Sequence, residues 1–89
     1  MLPKFIIRDF IEKFDMLNNK NANVHIKHLL YGCQKIKGCV LHTLWDGERI
    51  GLIINEEEVY ITMDELLSVC INNNEYVIKS EVMELQIIL

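Results

Sequence analysis

Apolar positions near the start of the chain recur with the period of a helix. Ile6, Phe10, Phe14 and Leu17 fall on one stripe with Ile7 and Ile11 beside them, while Lys4, Arg8, Asp9, Glu12, Lys13 and Asp15 fill the other faces. Pro3 suits a first helical turn, where a missing N–H loses no partner. Asn18, Asn19, Lys20 and Asn21 have no such period and end the element.

From Asn23 to Lys37 two patterns compete. Ile26, Leu29, Leu30, Cys33 and Ile36 form a helical stripe with Gly38 placed as a C-terminal cap. Val24 and Ile26 equally alternate with His25 and Lys27 as a strand, with a turn at Tyr31-Gly32 and a second strand starting at Ile36. Gly32 inside a helix costs about 1 kcal/mol relative to Ala, which tilts the balance towards strands and leaves both open.

Beyond Gly38 the pattern is β-rich. Cys39–Trp45 leads into Asp46-Gly47, a hairpin signal of the type I′ kind, and Arg49–Ile54 returns. Glu56, Glu57 and Glu58 mark an exposed turn, and Val59-Tyr60-Ile61 alternates as the next strand. Thr62-Met63-Asp64-Glu65 has the form of a capping box opening a short helix near residues 63–67. Val69-Cys70-Ile71 and Tyr76-Val77-Ile78 flank Asn72–Glu75 as a hairpin, and alternation from Val82 to Leu89 makes a final strand. The expectation is an α+β fold in a single domain over residues 1–89. An N-terminal helix precedes about five short antiparallel strands in a strongly bent sheet or small barrel. Free edges are expected at Ile50–Ile54 or Met83–Leu89.

A chain of 89 residues that is 51% apolar and 25% charged can bury a core and is too apolar for disorder. No apolar run approaches the ~20 residues that span a bilayer. Lys4, Arg8 and Asp9 interrupt the stretch a signal peptide needs, and three cysteines, an odd number, favour free thiols. The expected location is cytoplasmic, with no membrane partner.

The net charge of −4 hides an asymmetry. Residues 1–45 carry seven Lys/Arg against three acids, and residues 46–89 carry two against ten. A uniformly basic nucleic-acid footprint is absent, so nucleic acid is not the expected partner. The acids Glu56, Glu57, Glu58, Asp64, Glu65 and Glu75 are candidates for facing a basic groove on another protein.

His25, His28, Cys33, Cys39 and His42 gather all the histidines and two cysteines within eighteen residues. Imidazole and thiolate are zinc ligands, so these five form a candidate metal set, although their spacing matches no standard finger. No Gly-rich phosphate loop or activated nucleophile is present, and no catalytic residues are expected.

A leading helix, Gly38 in a strand, a hairpin and a closing last strand together resemble the topology of Sm-like and SH3-like barrels. The resemblance covers most of the chain but carries no motif. The Asn and Gly positions by which Sm proteins read RNA have no counterpart here, so RNA binding is not implied.

These observations favour a non-enzymatic protein-binding module without a cofactor. The expected type is a small acidic inhibitor or regulator of phage or mobile-element origin, such as an anti-CRISPR-like chain blocking a nucleic-acid-handling complex, with a homodimer as a further expectation. The alternative is a zinc-stabilised domain using residues 25–42 and binding nucleic acid through Lys27, Lys35 and Lys37.

Overall fold

A computed structural model describes residues 2–89. Helix α1 (Lys4–Phe14) runs into a 3-10 turn at Asp15–Leu17. Seven strands follow: β1 (Asn21–His28), β2 (Gly32–Trp45), β3 (Arg49–Ile54), β4 (Glu57–Thr62), β5 (Leu66–Asn72), β6 (Glu75–Ser80) and β7 (Met83–Ile88). They form an antiparallel sheet in the order β4-β3-β2-β1-β7-β6-β5, which stays open rather than closing into a barrel.

Seven strands replace the expected five or so because residues 23–37 resolve as strands. Val24 pairs with Ile36 and Ile26 with Gln34, and the chain turns at residues 29–31. The expected second helix is only a 3-10 turn, Met63–Glu65, and Thr62 makes no side-chain cap bond. Three residues between two strands leave no room for a helical nucleus. The strands expected at the edges, β3 and β7, are paired on both sides; the edges are β4 and β5.

The curvature is concentrated in β2. Its 14 residues serve two neighbours, β1 along residues 32–39 and β3 along residues 40–45. The ladder with β3 is irregular between Val40 and His42, so Leu41 is an inserted residue that bends the strand. Asn19 N donates to Val40 O (2.7 Å) and Val40 N to Lys20 O (2.8 Å) at this corner. Thr43 donates from its hydroxyl to Asp15 Oδ1 (2.7 Å) and from its N–H to Asn18 Oδ1 (2.8 Å). The turn after the helix thereby takes over the edge that β1 leaves free. Gly38 leaves the space here that the Asn55 side chain occupies and that a Cβ would take from it.

One core joins α1 to the inner face of the sheet. Ile7, Phe10, Ile11, Phe14 and Leu17 meet Val24, Val40, Leu52, Ile61, Ile78, Leu85 and Ile87, among others. Phe10 and Phe14 stack at 5.1 Å, and both pack against Tyr76, whose hydroxyl donates to Lys13 O at 3.4 Å. The buried stripe is centred on Ile7, while Ile6 remains 36% exposed at its margin.

Candidate protein-interaction surface

The β1–β2 hairpin ends in Leu29, Leu30 and Tyr31, which are 75%, 77% and 84% exposed. Isolated exposed apolar residues are ordinary, whereas three consecutive ones on a protruding turn form a patch. The turn is held in shape by its neighbours. His28 Nδ1 accepts from the N–H groups of Leu30 (3.1 Å) and Tyr31 (3.3 Å), and its ring lies 4.6 Å from that of Tyr31. Leu29 N donates to Val82 O at 2.8 Å, which ties the tip to the β6–β7 turn. Ser80 fixes that turn in the same way, accepting from Val82 N and Met83 N.

The patch continues through Val82, 37% exposed, to Leu67, 54% exposed. Asp64, Glu65 and Glu81 share a shallow hollow of about 180 Å³ with these two residues. Three carboxylates without a basic side chain in the lining make this the concentrated acidic spot beside the apolar tip. A second groove, about 410 Å³, lies between the start of α1 and the sheet, lined by Leu2, Ile7, Met63 and Leu66 with Lys4, Arg8 and Asp64 at its rim. Trp45, half-exposed, forms one wall.

The six acids singled out by sequence occupy three places rather than one face. Asp64 and Glu65 lie in the hollow beside the tip. Glu56 closes the β3–β4 turn with positive φ, and Glu57 and Glu58 begin the edge strand β4. Glu58 is already engaged by Arg49 at 3.2 Å, and that guanidinium also holds Asp46 at 3.1 Å and sits 5.1 Å over the Tyr60 ring. Glu75 stands at the β5–β6 turn and accepts from Gln86.

The His/Cys set is dispersed. Strand alternation places His25 and His28 on opposite faces, and His28 spends Nδ1 on the hairpin turn. Cys33 stands opposite Lys27 and Cys39 opposite Asn21, six residues apart on one strand and so roughly 20 Å from each other. His42 lies beyond the bulge. Among the described residues no group of three His, Cys, Asp or Glu side chains could hold a metal ion. All three cysteines are free and exposed.

No protein-family model matches the chain, and no curated protein or solved structure is similar enough to show kinship.

No helix among the described residues is long and apolar enough to cross a membrane. Of the basic residues considered for nucleic acid, Lys27 is paired with Glu84 at 3.4 Å, and Glu84 also binds Lys79 at 3.2 Å. Lys35 and Lys37 stay on the outer face of β2.

The sequence pattern places Leu29 and Leu30 on a helical stripe and Tyr31 in a turn, with Tyr31 a candidate for stacking on a base rather than for a protein contact. Their signal was present: three large apolar residues stood where a hairpin connection calls for Asn, Asp or Gly. The loop from β2 to β3, by contrast, was marked correctly by Asp46-Gly47. It forms by a different device from the expected turn, with Asp46 Oδ1 accepting from the N–H groups of Glu48 and Arg49 at 3.0 Å each. Those two backbone donors, followed by the Arg49 guanidinium, hold the Asp46 carboxyl below its ordinary range.

Proposed function

We propose that this chain is a protein-binding module without catalytic chemistry of its own. It places the Leu29-Leu30-Tyr31 tip in an apolar pocket of a partner and sets Asp64, Glu65 and Glu81 against basic residues at the pocket's rim. The observation that carries this reading is the combination of high exposure with a turn whose three N–H groups are all hydrogen-bonded. A preorganised tip loses little conformational entropy on docking, so covering it translates into affinity. Fully burying a leucine contributes about 1.5–3 kcal/mol, and Tyr at such a position supplies both area and a polar end.

The three carboxylates favour a protein pocket with a basic rim over an anionic lipid surface, which they would repel. Such a module inhibits or regulates by occupying a surface its partner needs, in keeping with the excess of acids over residues 46–89. Steric occupation requires no cofactor and no nucleophile.

The test is site-specific photo-crosslinking in the cells of origin, with the photoreactive residue at Leu30 or, as control, at Glu12 on the outer face of α1. A discrete protein adduct is expected from position 30 only, lost when Asp64, Glu65 and Glu81 are changed to Lys. Equal adducts from both positions, or sedimentation of the chain with anionic vesicles through the tip, would overturn the reading.

A further inference from the structure

The two edges of the sheet differ in a way that points to a second interface. At one edge, β4 begins with Glu57 and Glu58. Charged side chains on an edge strand obstruct pairing with another strand, above all with a copy of itself. At the other edge, β5 reads Leu66-Leu67-Ser68-Val69-Cys70-Ile71-Asn72, without a charge or a proline. Among the described residues, residues 67–72 make no hydrogen bond outside the β5–β6 ladder, so the outer row of backbone donors and acceptors is unpaired.

The side chains along this edge are incompletely covered as well. Helix α1 packs close to β5, yet Val69 and Ile71 on the inner face remain half-exposed, although their cross-strand partners Ile78 and Tyr76 are buried. Cys70 and Asn72 are exposed on the outer face.

We propose that β5 pairs antiparallel with β5 of a second copy of this chain, about a two-fold axis at Cys70. The unpaired backbone row calls for a strand, and the strand's own pattern selects which one. In this register Val69 of one copy faces Ile71 of the other on the inner side, twice over, which completes the cover each lacks. Ser68 faces Asn72 on the outer side, and the two Cys70 side chains are directly opposed. No charged side chain lies within the paired segment, whereas β4 would bring four carboxylates into its own. Both sheets continue across the axis into one, and both Leu29–Tyr31 tips stay outside the interface. The tip takes no part in the pairing, and Leu67 alone borders both this edge and the acidic hollow beside the tip.

Sedimentation equilibrium of the full chain above micromolar concentration gives the first readout. A mass of twice 10.5 kDa is expected, falling to 10.5 kDa in Cys70→Lys, which places an ammonium group on each side of the axis. Circular dichroism of this exposed-site variant establishes that it is folded. The second readout needs no destabilising change: in C33S/C39S, a short bismaleimide joins the remaining Cys70 thiols into a covalent dimer, whereas a C33S/C70S chain with only Cys39 stays monomeric. A wild-type monomer throughout, or a dimer that persists in Cys70→Lys, would overturn the proposal. So would a dimer that Cys39 links as readily as Cys70. A monomer that pairs β5 with a foreign strand would also overturn it.

Discussion

At the tip of the β3–β4 hairpin, Asn55 and Glu56 adopt φ of 52° and 66° to close the turn, and Asn55 Nδ2 reaches back to donate to Lys37 O at 2.9 Å. The tip of the β1–β2 hairpin has equally settled backbone geometry, but its Leu29, Leu30 and Tyr31 side chains reach no part of the core. The first tip faces inward in its function. Its Asn55 side chain ties the β3–β4 turn to β2 at Lys37 and so serves the fold. The second leaves three apolar side chains exposed, Tyr31 touching only the His28 ring of its own turn, and the core gains nothing from them. Two hairpins of similar construction are thus separable into one that the structure needs and one that is free to serve a partner.

Substitutions should separate them. The largest effect is expected from Leu29→Ser with Leu30→Ser, which removes two buried leucines from the proposed complex and weakens partner affinity by at least about 100-fold, measured by titration calorimetry with the cross-linked partner. Urea unfolding of the same variant should stay within about 0.5 kcal/mol of wild type, because neither side chain is covered in the free chain. Next comes Gly51→Ala in β3. Its Cβ would collide with Val59 O and the backbone of Tyr60, so a loss of about 3 kcal/mol is expected by urea unfolding. A cost under 0.5 kcal/mol would show that the β3–β4 pair can separate freely, and the contrast between the hairpins would fail.

Asn55→Ala removes the bond to Lys37 O and is expected to cost about 1 kcal/mol while leaving partner affinity unchanged. If it weakened the partner as strongly as the leucine changes, the two tips would share one interface. The smallest effect concerns pH. The Asp46 carboxyl is held below its ordinary range by the N–H groups of Glu48 and Arg49, then by the Arg49 guanidinium. Its contribution to the β2–β3 loop is therefore complete above the unfolded-state value. It fades only as pH falls through the lowered folded one. The protection of the Glu48 and Arg49 amides, measured against their intrinsic exchange rates at each pH, should fall in that acidic window in wild type, and should be low throughout in Asp46→Asn if the carboxylate is what protects them.

How much of this was legible in the sequence depended on distance along the chain. Helix α1 and the turns at residues 46–47 and 72–75 rest on neighbouring residues, and their signals survived folding. The shift of the buried stripe from Ile6 to Ile7 is a rotation of the helix set by its contact with the sheet, which no local period encodes. The continuity of β2 was hidden because the strand bends where Leu41 is inserted, and the bend is held by Asn19, Lys20 and Asn55 from elsewhere. Edge positions were misjudged for the same reason, since β7 finds β1 across most of the chain's length. Of the acids, only Asp64 and Glu65 kept company in the way a shared surface requires; Glu56–Glu58 and Glu75 were carried away on separate hairpins. The apolar tip could have been read directly, had its three residues been weighed as a turn that lacks turn chemistry.

The most direct test replaces the whole tip, Leu29→Ser, Leu30→Ser and Tyr31→Ser, and follows the urea midpoint and partner retention in one preparation. The expected result is an unchanged midpoint with the partner lost. A lowered midpoint, or a partner retained at full affinity, would contradict the assignment of this hairpin to binding.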